Sequence, residues 1–140
     1  MSKPQFPKEF EALRVLVVDD EEEIRDLVQQ ILRDMGIVRV HLAENGEMAW
    51  QRLSRTELEY DLVISDWLMP RMDGLDLLKK MRQSGSETPF MMLTVKVTGE
   101  AVASAVENGV TLYVAKPFTY GDFSRKVSSL AKQIIEDKAA

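Results

Sequence analysis

Short apolar runs alternate along the chain with stretches whose apolar residues recur every three or four positions. Residues 14–18 are β-branched and continuously apolar after Arg14, the pattern of a strand buried on both faces. Ile24, Leu27, Val28, Ile31, Leu32 and Met35 then form one helical stripe, and Gly36 supplies a stop. A weaker run at 38–42 predicts a second strand, and residues 47–55 a second helix. The third strand is expected at 61–65. Met69-Pro70 and Asp73-Gly74 mark a turn before a helix carrying Leu75, Leu78 and Met81. Residues 90–94 predict the fourth strand, 100–107 a helix that stops at Asn108-Gly109, and 111–115 the fifth strand. The last helix opens with Thr119 and Asp122 at capping-box spacing and buries Phe123, Val127, Leu130, Ala131 and Ile134. On this pattern residues 1–12 are a tail, 13–136 one domain, and 137–140 a fraying end.

Five strands, each followed by a helix, imply right-handed crossovers and a parallel sheet covered on both faces, an α/β architecture. Ligands of such sheets bind at the carboxyl ends of the strands. The chemistry is therefore expected where each apolar run stops. The first run ends in Asp19-Asp20, the third in Asp66, the fourth in Thr94 and the fifth in Lys116.

If the strands lie side by side, three carboxylates meet and repel one another unless a cation neutralises them. A hard divalent cation with oxygen ligands suits them, and Mg²⁺ takes one or two carboxylates while keeping several waters. A carboxylate, a lysine and a hydroxyl beside Mg²⁺ are the parts of a phosphoryl-transfer site, with the carboxylate itself as nucleophile. Each residue has an ordinary reading when taken alone. Asp19, Asp20 and the acids at 21–23 favour a helix N-terminus, Asp66 suits a turn, Thr94 suits a strand, and Lys116 suits a wet surface. A compatible group at all four strand ends is a far rarer coincidence, and the constellation carries the argument.

Composition narrows the field. The chain has 140 residues, 45% hydrophobic and 29% charged, as in an ordinary globular domain. Its net charge of -5 speaks against nucleic acid as a direct partner. With no cysteine, disulfides, thiolate metal sites and cysteine nucleophiles are excluded. The N-terminal residues carry prolines and charges where a signal peptide needs an apolar stretch, and no run is long enough to cross a bilayer. The expected location is the cytoplasm, without membrane insertion. His41, the single histidine, reads as a packed or surface residue, Trp50 as packing on the second helix, and Trp67 as a reporter beside Asp66.

The chain resembles the response-regulator receiver domains of two-component signalling over roughly residues 13 to 135. The resemblance is carried by Val-Leu-Val-Val-Asp-Asp at 15–20, Ser-Asp-Trp-Leu-Met-Pro at 65–70, Met-Asp-Gly-Leu at 72–75, Thr94, and Tyr-Val-Ala-Lys-Pro-Phe at 113–118. Ser65 to Trp67 and Tyr113 to Thr119 look especially like the stand-alone chemotaxis regulators of that family. The resemblance implies a (βα)5 flavodoxin-like fold. It makes Asp66 the phosphoacceptor. Asp20, Asp66 and the backbone carbonyl of Leu68 become Mg²⁺ ligands, with Asp19 holding the metal mostly through water. Lys116 becomes the contact to the phosphoryl group, Thr94 the hydroxyl that moves toward it, and Tyr113 the aromatic that turns inward in response. It also implies a cis Lys116-Pro117 peptide. Val95, Leu68 and Lys96 depart from the commonest pattern. Val95 would tighten phosphoryl access, and such positions line the path of attacking water and bear on the acyl-phosphate lifetime.

The function so implied is a phosphoacceptor that assists its own phosphorylation and dephosphorylation but is not itself an enzyme. A histidine kinase or phosphotransfer domain would be the donor. The altered α4–β5–α5 surface would bind a protein target, the flagellar motor switch among the candidates. No output domain follows Ala140, so action in trans is expected. The alternatives are a receiver in a non-chemotaxis phosphorelay, and a Mg²⁺-dependent aspartyl-phosphate phosphohydrolase, whose cap this length does not accommodate. A phosphorylation-independent binding module is opposed by the intact Asp, Thr and Lys set. An FMN- or nucleotide-binding domain is opposed by the lack of a glycine-rich phosphate loop.

Overall fold

Every other residue of a buried strand faces the opposite side of its sheet, so a continuous apolar run serves two cores at once. A computed structural model, describing residues 6–55 and 57–140, shows this arrangement. Strands β1 (Arg14–Val18), β2 (Arg39–Ala43), β3 (Leu62–Ser65), β4 (Phe90–Thr94) and β5 (Leu112–Ala115) form one sheet in the order β2-β1-β3-β4-β5. All four pairings are parallel. Val15, Val17, Leu62, Ile64, Met91 and Leu93 face helices α1 (Glu22–Asp34) and α5 (Tyr120–Ala139). Leu16, Val18, Val63, Phe90 and Met92 face α2 (Gly46–Leu53), α3 (Gly74–Gln83) and α4 (Gly99–Glu107). The expected α/β sandwich is present. None of the described helices is long and apolar enough to cross a membrane.

The helices start where short polar side chains relieve unpaired amides. Asn45, Asp73, Thr98 and Thr119 each accept from an amide in the first turn of α2, α3, α4 and α5. The Thr119 hydroxyl takes the Asp122 amide at 3.0 Å, the N-cap half of the expected capping box, while the Asp122 carboxylate pairs with Arg125. Gly36 ends α1 with φ of +88°, a backbone state that a side chain disfavours.

Two terminal expectations are corrected. Residues 6–12 are not a loose tail. Lys8–Ala12 form a 3₁₀ helix, Phe10 is fully buried with Leu13 in the α1/α5 core, and Phe6 stacks on Phe10 at 6.0 Å. Burial of Phe10, with Phe6 stacked on it, anchors this short segment to the core. Residues 1–5 of that expectation lie outside the described residues. At the other end α5 runs on to Ala139, and Lys138 Nζ pairs with Asp61 Oδ1 at 2.8 Å. Helix propagation adds one bond per residue, and this ion pair ties the last turn to the start of β3.

Smaller shifts have local causes. β2 begins at Arg39 rather than 38 and reaches Ala43, because pairing with β1 runs from Arg14–Arg39 to Val18–Ala43. The second helix begins at Gly46 and stops at Leu53, since the Asn45 cap sets its start one residue earlier.

Candidate functional site

In a sheet of this order the chain leaves β1 toward β2 on one side and β3 lies on the other. A crevice therefore opens between the carboxyl ends of β1 and β3. Backbone pairing continues one residue past the strands and fixes what lines it. The Asp19 amide donates to the Ala43 carbonyl at 3.1 Å, and the Asp66 amide to the Val18 carbonyl at 2.9 Å. On the far side the Lys116 amide donates to the Thr94 carbonyl at 2.9 Å. Residues separated by 97 positions, Asp19 and Lys116, thus meet across the sheet end.

Lys116 Nζ lies 2.7 Å from Asp19 Oδ2 and 3.2 Å from Asp66 Oδ2, and all three side chains are at least nine-tenths buried. Burial alone would lower the Lys116 pKa, but Asp19 and Asp66 outweigh it and hold the ammonium above the usual lysine value. Asp19 is pushed up from the usual aspartate value by burial and the Asp66 charge, despite hydrogen bonds from Lys116 and the Glu21 amide. The site therefore has more negative charge than its lysine neutralises.

Carboxylate oxygens of Asp19, Asp20, Glu21 and Asp66 lie within 4.8 Å of one another. Four carboxylates against one ammonium, with Asp20 and Glu21 open to solvent, fit a hard divalent cation bound by oxygen. Sequence reasoning had taken Glu21 for helix-end charge alone. Its position directly after Asp19-Asp20 was the available signal, but the bend that turns its carboxylate inward is a backbone feature. Arg25 Nη1 also donates to the Asp19 carbonyl at 2.6 Å, anchoring that bend from α1.

Asp66 is held from the other direction. Its Oδ1 accepts from the amides of Trp67 at 2.7 Å and Leu68 at 3.3 Å, so the carboxylate orientation is set by its own loop. That loop closes tightly on α3. The Gly74 amide donates to the Trp67 carbonyl at 2.9 Å, and a Cβ at Gly74 would stand 2.1 Å from the Asp66 carbonyl oxygen. Only glycine fits at this helix start.

Thr94 is fully buried, and its Oγ1 accepts from the Lys96 amide at 3.2 Å. Tyr113 is half-buried, and its hydroxyl donates to the Lys96 carbonyl. Burial, then the Asp66 charge, raises the Tyr113 pKa and keeps the phenol protonated. The Lys116-Pro117 peptide is cis. Val95 is 58% exposed and Leu68 49% exposed, so Val95 lies largely in solvent rather than filling the site. His41 lies away from these residues, on β2, with Nδ1 at 2.6 Å from the Tyr60 hydroxyl.

Comparison with known proteins agrees with this geometry. Residues 15–128 match the response regulator receiver domain family. The chain is 32% identical to chemotaxis protein CheY-3 of Vibrio cholerae over 124 residues, covering 87% of this chain and 94% of that protein. It is 38% identical to chemotaxis protein CheY1 of Helicobacter pylori over 109 residues, covering 76% of this chain and 87% of that protein. A solved structure of Vibrio cholerae CheY4 superposes with a TM-score of 0.75 at 31% identity, covering 84% of this chain and 97% of that one. A receiver domain from Methanospirillum hungatei, at 24% identity and a TM-score of 0.81 over 89% of this chain and 98% of that one, shares the fold. With the family's match spanning the whole sheet and the acids and lysine gathered at its carboxyl edge, this chain belongs to the response regulator receiver domains, in their CheY-like, chemotaxis-type group.

Proposed function

We propose that Asp66 accepts a phosphoryl group from the phosphohistidine of a kinase or phosphotransfer domain, and that the protein signals through the resulting change of shape. The observation that carries this reading is Lys116 Nζ held between Asp19 and Asp66 beside an acidic cluster. In the transfer, an Asp66 carboxylate oxygen bonds to phosphorus as the donor's P–N bond breaks, and the imidazole leaves with a proton from solvent. Lys116 neutralises charge on the transferring oxygens. The amides of Trp67 and Leu68 fix the orientation of that carboxylate through Oδ1, which lowers the cost of positioning it for attack.

Asp20, Asp66 and the Leu68 carbonyl would hold Mg²⁺ directly, with Asp19 acting largely through water. When bound, the ion supplies charge neutralisation that one lysine cannot provide to a dianion. Thr94 would hydrogen-bond the phosphoryl group, and Tyr113 would follow it inward. The α4–β5–α5 surface then shifts between two populations, and a protein target reads the difference. In this reading the chain is a phosphoacceptor rather than a turnover enzyme. It works in the cytoplasm, with residues 13–136 as the receiver unit and the preceding 3₁₀ helix added to its core.

The test is intact mass after incubation with acetyl phosphate and Mg²⁺. The wild type gains one labile phosphoryl unit and Asp66→Asn gains none. Equal gain in both proteins would refute the assignment. So would sustained turnover of p-nitrophenyl phosphate with no mass gain.

A further inference from the structure

Lys96 uses its amide, its carbonyl and its side chain to touch three different residues of the site. Its N–H donates to Thr94 Oγ1 at 3.2 Å, and its C=O accepts from the Tyr113 hydroxyl. Its ammonium sits 4.4 Å from the centroid of the Trp67 ring. Trp67 is 5% exposed, and its own amide donates to Asp66 Oδ1 at 2.7 Å. The β4–α4 loop is thereby fastened to the Asp66 loop through one cation on one aromatic face.

The partner of that cation is neutral. Among the described residues no carboxylate lies within ion-pair distance of Lys96, although Glu100 lines the same cleft, of about 230 Å³. An ammonium held by a quadrupole is held less firmly than one held by a carboxylate. A phosphoryl group on Asp66 brings a charge of about -1.5 to -2 next to the Trp67 backbone. Lys116, already held by two carboxylates, answers part of that charge, and Lys96, whose ammonium rests on an aromatic face, can be drawn to the rest.

We propose that Lys96 is a positioning residue for Thr94 and Tyr113, and that its ammonium leaves the Trp67 ring for the phosphoryl group once Asp66 carries one. The inference rests on Asp66 being the phosphoacceptor. Because the Lys96 backbone is bonded to both Thr94 and Tyr113, movement of its side chain draws on the groups that those two residues use. The charge of the phosphoryl group is thus conveyed to the β4–α4 loop by a residue that never bonds covalently to it.

The chain has two tryptophans, so a Trp50→Phe background leaves Trp67 as the single reporter. Emission is followed as Mg²⁺ and then acetyl phosphate are added, with intact mass read on the same samples. The expected result is an emission change on phosphorylation in this background, its loss in Lys96→Met, and its retention in Lys96→Arg. Lys96→Met keeps the length and apolar bulk, and its mass gain shows whether the site still works. The proposal is overturned if Lys96→Met gains mass and shows the same emission change. It is also overturned if the Lys96 protein gains mass with no emission change. If the Lys96 protein gains no mass, the phosphoacceptor reading itself fails, and this inference with it.

Discussion

The ammonium of Lys116 lies 3.2 Å from the Asp66 carboxylate, a residue 50 positions earlier in the chain, and is shared with Asp19 at 2.7 Å. Three buried charges in one crevice sum to a net negative one. The lysine restrains two acids that would otherwise repel each other without shelter from solvent.

Replacing Lys116 by Met should therefore weaken the fold as well as phosphorylation. Breaking a buried pair by removing one partner costs about 3–5 kcal/mol, and the lower end is expected because Asp19 can take up a proton. Urea unfolding in the presence of a chelator measures it. An unchanged midpoint would show that the lysine contributes nothing to stability.

Asp19 predicts a pH dependence for the metal-free protein. Its pKa is raised chiefly by burial, so between the ordinary aspartate value and the raised one the folded protein binds more protons than the unfolded chain. Stability conferred by this residue then falls as pH rises through that window and returns on acidification. The stability difference between wild type and Asp19→Asn should move in favour of the wild type as the solution is made mildly acidic. A difference that is flat with pH, or of opposite slope, contradicts the burial argument.

Magnesium should stabilise the folded state by mass action, adding about 2.7 kcal/mol at a concentration one hundred times its dissociation constant. Asp20 is an exposed member of the acidic cluster. Asp20→Asn should reduce the Mg²⁺-induced rise in thermal midpoint while leaving the midpoint in chelator nearly unchanged. Differential scanning fluorimetry across a Mg²⁺ titration reads both quantities, and an undiminished shift would remove Asp20 from the metal site.

Gly74→Ala should damage the fold and the site together. The added methyl would stand 2.1 Å from the Asp66 carbonyl oxygen, a backbone atom that cannot rotate away. Overpacking costs about 1–3 kcal/mol where neighbours can adjust, and the upper end is expected here. Chemical denaturation gives the stability loss, and the phosphorylation rate with acetyl phosphate should fall with it. Wild-type values for both would mean the loop has more freedom than its hydrogen bonds suggest.

Phe10→Ala separates core from chemistry. Deleting a fully buried phenylalanine costs about 3–5 kcal/mol, whereas Phe10 touches nothing in the acidic crevice. Unfolding midpoints should drop sharply while Mg²⁺ affinity, read from Trp67 emission, is retained. A negligible stability loss would return residues 6–12 to the status of a tail.

Much of the architecture was readable before any coordinates. The apolar runs at 15–18 and 90–93, short and bounded by polar residues or proline, read as strands covered on both sides. The spacing of Ile24, Val28, Ile31, Leu32 and Met35 marks one helix face, although Leu27, read into the same stripe, is 46% exposed. Thr119 and Asp122 announced their own cap. Asp19, Asp20, Asp66, Thr94 and Lys116 drew notice because each follows directly on such a run. These are local properties, set by the period of a strand or a helix within a few residues.

Other features depend on which distant surfaces meet. Glu21 reaches the acidic cluster, Phe10 enters the α1/α5 core, and Lys96 covers Trp67. No spacing rule encodes them. The sheet order that sets β1 beside β3, and with it the shared lysine between Asp19 and Asp66, comes from packing two helical layers at once. Sequence by itself determined the five strands, the five helices after them and the polar residues that follow the strands, though not the 3₁₀ helix at Lys8–Ala12. Tertiary structure alone decided who neighbours whom, because side-chain contacts across the fold are won by summed burial rather than by any nearby pattern.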